Sequence, residues 1–310
     1  MQNLIVYSLA FLVIALVSGN NLPACTGSLI NSNIVGKRKG IMLTILGYSL
    51  GLIAEGNLLN TGLLSLMPVN NYILSSIVLL AALIVFLFAH KTKVPQSLSM
   101  TMAMAILGLD MAIGASPDLA FVAIMALAWI LSSAFAILLS YATMRYSYNM
   151  MKEKNIWTSI KYMKLLLIVV SFFTAFTLGA NTIGFVYALM PHQSNSAYVL
   201  GLAIIGIIIG SVFLSRRELS LMGNGIVAMR YLNSTISQAV SAIFVEIATI
   251  FGIPLSNTQI YVSSIYGSTI SYKMHFAQGK TMIAIIRSWV LLAILAMVLG
   301  YAMALLTLLI

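Results

Sequence analysis

Two short polar elements interrupt long apolar segments, one near the N-terminus and one in the middle of the chain. They are residues 18–21 (Ser-Gly-Asn-Asn) and residues 179–182 (Gly-Ala-Asn-Thr). Glycine frees the backbone, and Pro23, which follows the first element, cannot continue a helix without a break. We therefore predict that the helix opens at each element. The N–H groups of the new helix N-terminus would carry partial positive charge and bind an anion.

A proline and two hydroxyl residues follow each polar element at nearly the same distance. Residues 94–99 are Val-Pro-Gln-Ser-Leu-Ser, and residues 253–258 are Ile-Pro-Leu-Ser-Asn-Thr. The spacing from asparagine to proline is 75 positions in the first half and 73 in the second. We expect Pro95 and Pro254 at the first position of short helices, so that the hydroxyl groups lie near the anion-binding end. The alternative is that these polar side chains only bond to their own helices.

Side chains that could catalyse a reaction are sparse. The three histidines, His90, His192 and His275, have no metal-ligand spacing, and Cys25 is the only cysteine. The chain has no Walker sequence for ATP binding and no Ser/His/Asp set within its apolar segments. The sequence therefore predicts that the protein is not an enzyme and needs no catalytic cofactor.

The elements that position the polar motifs must lie in a membrane. Of the 310 residues, 61% are hydrophobic and 7% are charged, whereas a soluble domain has about 25% charged residues. The net charge of +10 comes from short basic clusters between apolar runs, as in the cytoplasmic loops of membrane proteins. We therefore predict a multi-pass protein of the cell membrane, surrounded by the lipid bilayer, with no nucleic-acid partner.

Ten apolar stretches divide the chain, and several are too short to cross a bilayer. They lie at about residues 3–35, 40–55, 71–90, 97–108, 118–144, 163–190, 197–214, 236–251, 255–270 and 283–309. A crossing helix needs about 20 apolar residues. The stretches 97–108 and 255–270 are therefore predicted to be parts of re-entrant hairpins or broken helices.

The basic residues favour one orientation of these segments. If the N-terminus lies outside, fourteen of the sixteen Lys and Arg residues lie on the cytoplasmic side, as the positive-inside rule requires. Each half then has three crossings and one hairpin, so the second half is inverted relative to the first. The predicted fold is an all-α polytopic bundle with two inverted-topology repeats, residues 1–150 and 164–310, joined by a basic cytoplasmic linker at 151–163. Both termini are predicted to be extracytoplasmic.

These motifs resemble those of the inorganic phosphate transporter (PiT) family of sodium- or proton-coupled symporters. The similarity is clearest in residues 251–259 (Phe-Gly-Ile-Pro-Leu-Ser-Asn-Thr-Gln) and 264–267 (Ser-Ile-Tyr-Gly). In the first half, Gly27 and Ser28 stand where the family has a Gly-Thr pair. The resemblance covers nearly the whole chain. It implies a secondary transporter of inorganic phosphate that works by alternating access, with the anion between the two halves and Na⁺ or H⁺ as the coupling ion.

The candidate anion-binding residues supply N–H, O–H or ammonium donors. They are Asn20, Asn21, Ser28, Ser97, Ser99, Asn181, Thr182, Ser256, Thr258, Lys91 and Lys93. The two lysines are the only bases outside the cytoplasmic side of the scheme, and we expect one of them to contribute fixed positive charge to the anion. The alternative is that both reach water or headgroups, or that Lys93 pairs with Asp110.

A weak Na⁺ site is also expected. Its candidate ligands are Asn20, Asn21, Asn181, Thr182 and Glu246. The resemblance places Asn21 and Thr182 where the family has aspartates that belong to its cation-binding apparatus, so cation binding should be weaker here. Glu246 is included because an ionisable residue at membrane depth is a functional candidate, whereas Glu55 is expected to reach water near an outer helix end.

Several alternatives stay open on the sequence alone. A sulfate or other oxyanion permease of the same fold would show the same motifs, and so would an uncoupled anion channel or uniporter. A membrane scaffold is disfavoured because the polar breaks are duplicated. A homodimer is left open.

Overall fold

Every regular element in the described part of the chain is a helix. The computed structural model describes residues 2–67, 71–92, 96–151, 156–190, 196–215, 231–271 and 279–308. Helix is the expected choice for so apolar a chain, because each backbone N–H and C=O inside a bilayer must find its partner within the protein. The prediction of an all-α polytopic membrane fold is confirmed.

The first half begins with a helix that runs through a widened turn. This helix comprises α1 (Gln2–Leu22), a π-helical turn (Pro23–Gly27) and α2 (Ser28–Asn31). The other elements of this half are α3 (Lys37–Glu55), a 3-10 turn (Gly56–Leu58), α4 (Leu59–Leu66), α5 (Tyr72–Thr92), α6 (Leu98–Ile113) and α7 (Leu119–Met151).

The second half repeats this order of elements. A long helix again contains a π-helical turn, and it comprises α8 (Ile156–Leu178), the turn (Gly179–Ile183) and α9 (Gly184–Ala188). The remaining elements are α10 (Ser196–Ile209), a further π-helical turn (Gly210–Leu214), α11 (Tyr231–Ile250), α12 (Asn257–Ile270) and α13 (Gly279–Leu308).

Seven helical segments among the described residues are long and apolar enough to cross a membrane. Six of them coincide with the predicted crossings: Leu4–Asn31, Lys37–Leu66, Leu119–Asn149, Ile160–Ala188, Ala197–Leu214 and Ile285–Leu308. The seventh, Tyr72–Ala89, is the first arm of the predicted first hairpin. The orientation of these segments, with both termini outside, stays a prediction.

The two predicted hairpins correspond to the pairs α5–α6 and α11–α12. Their second arms contain 16 and 14 residues, which gives lengths of about 24 and 21 Å at 1.5 Å per residue. Neither arm spans about 30 Å of hydrocarbon alone. Each arm is therefore too short to cross the bilayer, and the position of the hairpin tips at membrane depth stays a prediction.

The second arm of each hairpin packs on the last helix of the other half. The second arm of the first hairpin, α6, packs on α13, the last helix of the second half. In return, α12 packs on α7, the last helix of the first half. Corresponding helices make corresponding contacts elsewhere. Within the halves, the contact α1–α5 corresponds to α8–α11, and between the halves the contact α3–α8 corresponds to α10–α1. The pattern is consistent with two repeats of the same packing, and the inverted orientation of the repeats stays a prediction.

Glycines allow the helices of different halves to approach closely. A Cβ added to Gly51 of α3 would lie 1.9 Å from the carbonyl oxygen of Phe176, and one added to Gly210 would lie 2.0 Å from that of Ala15. Such crossings hold membrane helices together by backbone contact, because lipid offers no hydrophobic drive for their association.

The repeat boundaries stay a prediction. The helices α7 and α8 end and begin at Met151 and Ile156, so the described part of the predicted linker at 151–163 is largely helical. Residues 152–155 lie outside the described residues.

Candidate anion site at the two hairpin tips

Serine side chains cap both short helices at the hairpin tips. The Ser97 hydroxyl accepts a hydrogen bond from the backbone N–H of Met100 at 3.2 Å, and the Ser256 hydroxyl accepts one from Gln259 at 3.3 Å. Each serine is in extended backbone conformation, as an N-cap should be. Since each hydroxyl acts only as an acceptor in its cap, its own hydrogen is left to donate to a ligand.

The expected position of the prolines is wrong. Pro254 does not occupy the first position of α12; it lies two residues before the N-cap Ser256. The hydroxyl cap sets the helix start, because the Ser256 side chain accepts from a first-turn N–H. With Pro254 at the first position the cap residue would be Ile253, which has no side-chain acceptor. The carbonyl of Pro254 instead accepts a hydrogen bond from the Trp129 indole at 3.0 Å, which ties this tip to α7. Pro95 lies outside the described residues.

The two tips are in direct contact. The Thr258 hydroxyl, in the first turn of α12, donates to the backbone carbonyl of Gln96 at 3.2 Å. Gln96 immediately precedes the cap of α6. Ser97, Ser99 and Ser256 are all at least 95% buried. Two helix N-termini, one from each half of the chain, therefore meet away from bulk solvent, and their partial positive charges reinforce one another.

Several buried amide atoms at the tips have no partner within the protein. They are Oε1 of Gln96, Oε1 of Gln259 and Nδ2 of Asn257. Asn257 follows the cap of α12, and its Oδ1 accepts from the Ser241 hydroxyl at 2.8 Å. A buried polar atom without a protein partner is a candidate contact for a ligand or for ordered water. Asn257 was not among the sequence candidates, because the motif gave weight to hydroxyl residues.

Asn181 fastens its helix to the second tip. Its Nδ2 donates to the Thr249 hydroxyl at 2.9 Å and to the Ile253 carbonyl at 3.0 Å, and its Oδ1 accepts from the Leu255 N–H at 3.0 Å. Both amide hydrogens are thus used inside the protein. Direct donation from Asn181 to an anion stays a prediction that would require one of these bonds to break. Thr182 beside it is buried.

The prediction that the long helices open at the two polar elements is wrong, because the structure has widened helical turns there instead. Helix α1 continues past Asn20 and Asn21 to Leu22, and Gly179–Ile183, which contains Asn181, is a π-helical turn. A π turn admits an extra residue and leaves carbonyls without their usual partner, so the helix widens instead of breaking. Pro23 occupies the first position of the π turn Pro23–Gly27. No new helix N-terminus forms at either element, and the described bond of Asn20 is to Asn21 at 3.3 Å.

Gln238 closes the first π turn from the other half of the protein. Its Nε2 contacts the carbonyls of Ala24 at 3.2 Å and Cys25 at 2.9 Å and the Ser28 hydroxyl at 3.1 Å. Its Oε1 accepts from the Ser171 hydroxyl at 2.8 Å. Ser28 is therefore bonded to the second half, as a residue between the halves should be. Sequence reasoning missed Gln238, although a glutamine within an apolar arm was the signal.

One carboxyl group from each half forms a pair beside the site. Glu246 of α11 lies close to Glu55, the last residue of α3. The second oxygen of each group is buried without a partner. Glu55 is partly exposed, and the expectation that it reaches water stays a prediction. Two adjacent carboxylates repel each other, so a proton or a cation bound between them would stabilise this contact.

The two candidate lysines and the predicted Na⁺ site are only partly described by the structure. Lys91 lies in the last turn of α5, and Lys93 lies outside the described residues, as does the Lys91 side chain. No group of three or more His, Cys, Asp or Glu side chains that could hold a metal ion occurs among the described residues. A Na⁺ ion at Asn20, Asn21, Asn181, Thr182 or Glu246 would be held by amide, hydroxyl and carboxyl oxygens, and this stays a prediction.

Comparisons with known proteins show the family of the chain. The sequence profile of the phosphate transporter family matches residues 17–300. The chain belongs to the phosphate transporter family. A curated relative from Methanocaldococcus jannaschii, named "Putative phosphate permease MJ0630", is 25% identical over 296 residues, which cover 94% of each chain. Membership of this family makes the protein a membrane transporter of phosphate and not an enzyme.

The fold is also that of a solved structure. A structure described as the sodium-dependent phosphate transporter superposes with a TM-score of 0.83 at 16% sequence identity. The match covers 100% of this chain and 99% of that one. At this identity the likeness establishes the fold, and it supports a multi-pass arrangement along the whole chain.

Proposed function

We propose that the protein transports inorganic phosphate by alternating access and binds the anion between the two hairpin tips. The observation that carries this proposal is the contact between Thr258 and Gln96, which brings two serine-capped helix N-termini together. Hydroxyl and N–H donors compensate a buried anion without a fixed cation, and helix N-termini favour negative charge. Because each half supplies one tip, a movement between the halves opens the site to one side or the other.

The unpaired amide oxygens favour phosphate over sulfate. Near neutral pH phosphate keeps at least one P–OH group, whereas sulfate carries no hydrogen. Oε1 of Gln96 and of Gln259 are buried acceptors without a donor, and a P–OH group would supply one. Sulfate would leave both acceptors unpaired, and an unsatisfied buried polar group costs about 1–3 kcal/mol. These two acceptors therefore favour a phosphate transporter over a sulfate permease.

Ion coupling is assigned to the carboxyl pair. Glu55 and Glu246 come from different halves, so a proton or Na⁺ bound between them favours the conformation that keeps them together. Glu246 lies three residues from Thr249, which bonds Asn181, so the pair is connected to the second tip by one helical turn. This geometry suits coupling by Na⁺ and coupling by H⁺ equally, and a gradient experiment distinguishes them. Oligomeric state is independent of it, and a homodimer stays a prediction.

Uptake into proteoliposomes tests the proposal. Labelled phosphate and labelled sulfate are compared under an imposed Na⁺ gradient, an imposed proton gradient and no gradient. We expect phosphate uptake that exceeds sulfate uptake and that one ion gradient stimulates, with Glu246→Gln losing the stimulation. In Gln259→Leu, preference for phosphate should fall by roughly ten-fold, because a lost hydrogen bond in a buried site is worth about 1–3 kcal/mol. Sulfate uptake equal to or above phosphate uptake would reject the assignment of the anion.

A further inference from the structure

The inner face of the second hairpin carries a row of buried hydroxyl and amide groups. We call this row the polar file, and it consists of Asn233, Ser237 and Ser241 of α11 and Asn257, Ser264 and Ser268 of α12. Each of these side chains is at least 96% buried. On α11 they recur every four residues, and on α12 they lie at intervals of seven and four. Both sets therefore lie on one helical face.

Hydrogen bonds show that the two faces meet. Near the tip, the Ser241 hydroxyl donates to Asn257 Oδ1 at 2.8 Å. Near the open end of the hairpin, Ser268 bonds to Asn233 and lies 3.3 Å from the Ser237 hydroxyl. From Asn257 to Ser268 the helix rises about 16 Å, roughly half of the hydrocarbon core. The polar file thus connects the anion site at the tip with the open end of the hairpin.

Two members of the file have polar atoms without a partner. Oγ of Ser264, midway along the file, and Nδ2 of Asn257, at the tip, are buried and unpaired. Ser264 and Asn257 are 0% and 3% exposed. If the file served only to hold the two arms together, its central hydroxyl would be expected to bond across the hairpin. Unpaired donors along the file instead point to bound water or to a passing hydrogen-bond acceptor.

The first hairpin has no such file at the corresponding positions. The caps Ser97 and Ser256 align the two hairpins, and this alignment pairs Ser237, Ser241, Ser264 and Ser268 with Val78, Ala82, Ala105 and Leu109. All four first-hairpin residues are apolar and fully buried. At these four positions the same backbone therefore packs apolar side chains in the first half. Polar groups in the other half are not a requirement of the hairpin fold.

We propose that the polar file lines the aqueous route by which phosphate passes between the tip site and the open end of the second hairpin. This inference rests on the proposed transport of an oxyanion. Neutral hydroxyl and amide donors hydrogen-bond a hydrated anion without holding it as tightly as a fixed cation does. In the sequence, Arg230 immediately precedes α11 and Lys273 follows α12 by three residues.

Thiol labelling of matched variants tests the route. Ser264→Cys and Ser237→Cys are compared with Ala105→Cys and Val78→Cys, the aligned positions of the first hairpin. The native chain, whose only cysteine is the buried Cys25, gives the background. A membrane-impermeant, anionic methanethiosulfonate reagent is applied to each side of the membrane in turn, with and without phosphate. Size-exclusion chromatography and thermal unfolding establish that all four variants are folded before labelling.

The proposal predicts a clear difference between the hairpins. Ser264→Cys and Ser237→Cys should react at least about ten-fold faster than their partners, because only a hydrated thiolate is reactive, and only from the side of the open end. Phosphate should slow the reaction. Labelling no faster than in Ala105→Cys and Val78→Cys would overturn the proposal and leave the file as a contact between the arms.

The remaining outcomes separate this inference from the proposed function. Fast labelling that phosphate does not slow, in a protein that transports phosphate, would show water in the hairpin but reject it as the route of the anion. Fast labelling slowed by sulfate, in a protein that transports sulfate, would retain the route and reject phosphate as the cargo.

Discussion

At the scale of single residues, Ser256 combines a structural task with a binding one. Its oxygen accepts from the Gln259 N–H and so begins α12, and its hydrogen is left for the anion. Ser97 does the same for α6. A substitution to alanine would remove both tasks together. Glycine separates them, because it is nearly as good an N-cap as serine but has no side-chain donor.

Ser256→Gly should therefore bind phosphate less well while remaining stable. The lost hydrogen bond to a charged ligand is worth about 1.5–3 kcal/mol, so the apparent affinity for phosphate should fall roughly ten-fold or more. The melting temperature should change little, and Ser256→Thr, which restores the hydroxyl, should regain affinity. Substrate titration of uptake together with thermal unfolding measures both effects. Native affinity in a folded Ser256→Gly protein would remove this hydroxyl from the anion site.

Asn181 stabilises the second tip through its own hydrogen bonds and has no amide hydrogen left for an anion. Asn181→Ala would leave the Leu255 N–H and the Ile253 carbonyl without their partner, at about 1–3 kcal/mol for each buried group. We expect a clear fall in thermal stability, and loss of uptake even at high phosphate concentration. The control Asn20→Ala, whose described bond is only to Asn21, should be less destabilising. Equal stability of the two variants would contradict this role of Asn181.

The sequence predicted the polar residues of the tips but not their partners. Hydroxyl residues after a proline are visible in residues 94–99 and 253–258. The helix α12 begins after Ser256 and not at Pro254, because the Ser256 hydroxyl accepts from the Gln259 N–H. The spacing of residue types in the sequence does not reveal such a bond. Gln238 and the Glu55–Glu246 contact were out of reach for a different reason. Their partners lie about 190 to 214 positions away, and only the packed fold brings them together.

At the scale of elements, each hairpin is held by close contact with a helix of the opposite half. A Cβ on Gly267 of α12 would lie 2.2 Å from the carbonyl oxygen of Ile137 in α7. In the first hairpin, a Cβ on Gly108 of α6 would lie 2.0 Å from the carbonyl of Met297 in α13. These glycines set the distance between the hairpin arm and its partner helix, and therefore the position of the tip.

Gly267→Ala should destabilise the protein, because the added methyl group meets a backbone atom that cannot rotate away. Overpacking of this kind costs about 1–3 kcal/mol, so the melting temperature and phosphate uptake should both fall. Gly201→Ala in α10, where an added Cβ meets nothing within 4 Å, is the matched control. It should be neutral or slightly stabilising, since alanine favours helix. Similar melting temperatures for the two variants would show that the α7–α12 contact is not tight.

Helix lengths could be predicted at this scale, whereas the form of the helix interruptions could not. Apolar length identified the crossings and the two short arms, because it follows directly from the thickness of the bilayer. Gly19 and Pro23 indicated a break, yet the structure has a π turn at Pro23–Gly27. The widened turn is stable because Gln238 from the other half donates to its carbonyls. A rule for isolated helices does not include that partner.

At the scale of the whole molecule, the reciprocal packing explains why the anion site lies where it does. Helix α6 rests on α13, and α12 rests on α7, so each tip is carried partly by the other half. The two tips then meet through Thr258 and Gln96. A relative movement of the halves must change this contact, so that binding at the tips and the choice of the open side are linked.

The position of a bound anion shows whether the two hairpin tips form the binding site. Arsenate has the shape and charge of phosphate and scatters anomalously, so its position can be found in crystals of the protein. An anion site at the tips should give an anomalous peak between them, about 4 Å from the hydroxyl oxygens of Ser256 and Ser97, because one As–O bond plus one hydrogen bond spans that distance. Phosphate in excess should remove this peak. A peak only at the basic loops, or one that phosphate does not displace, would contradict an anion site at the hairpin tips.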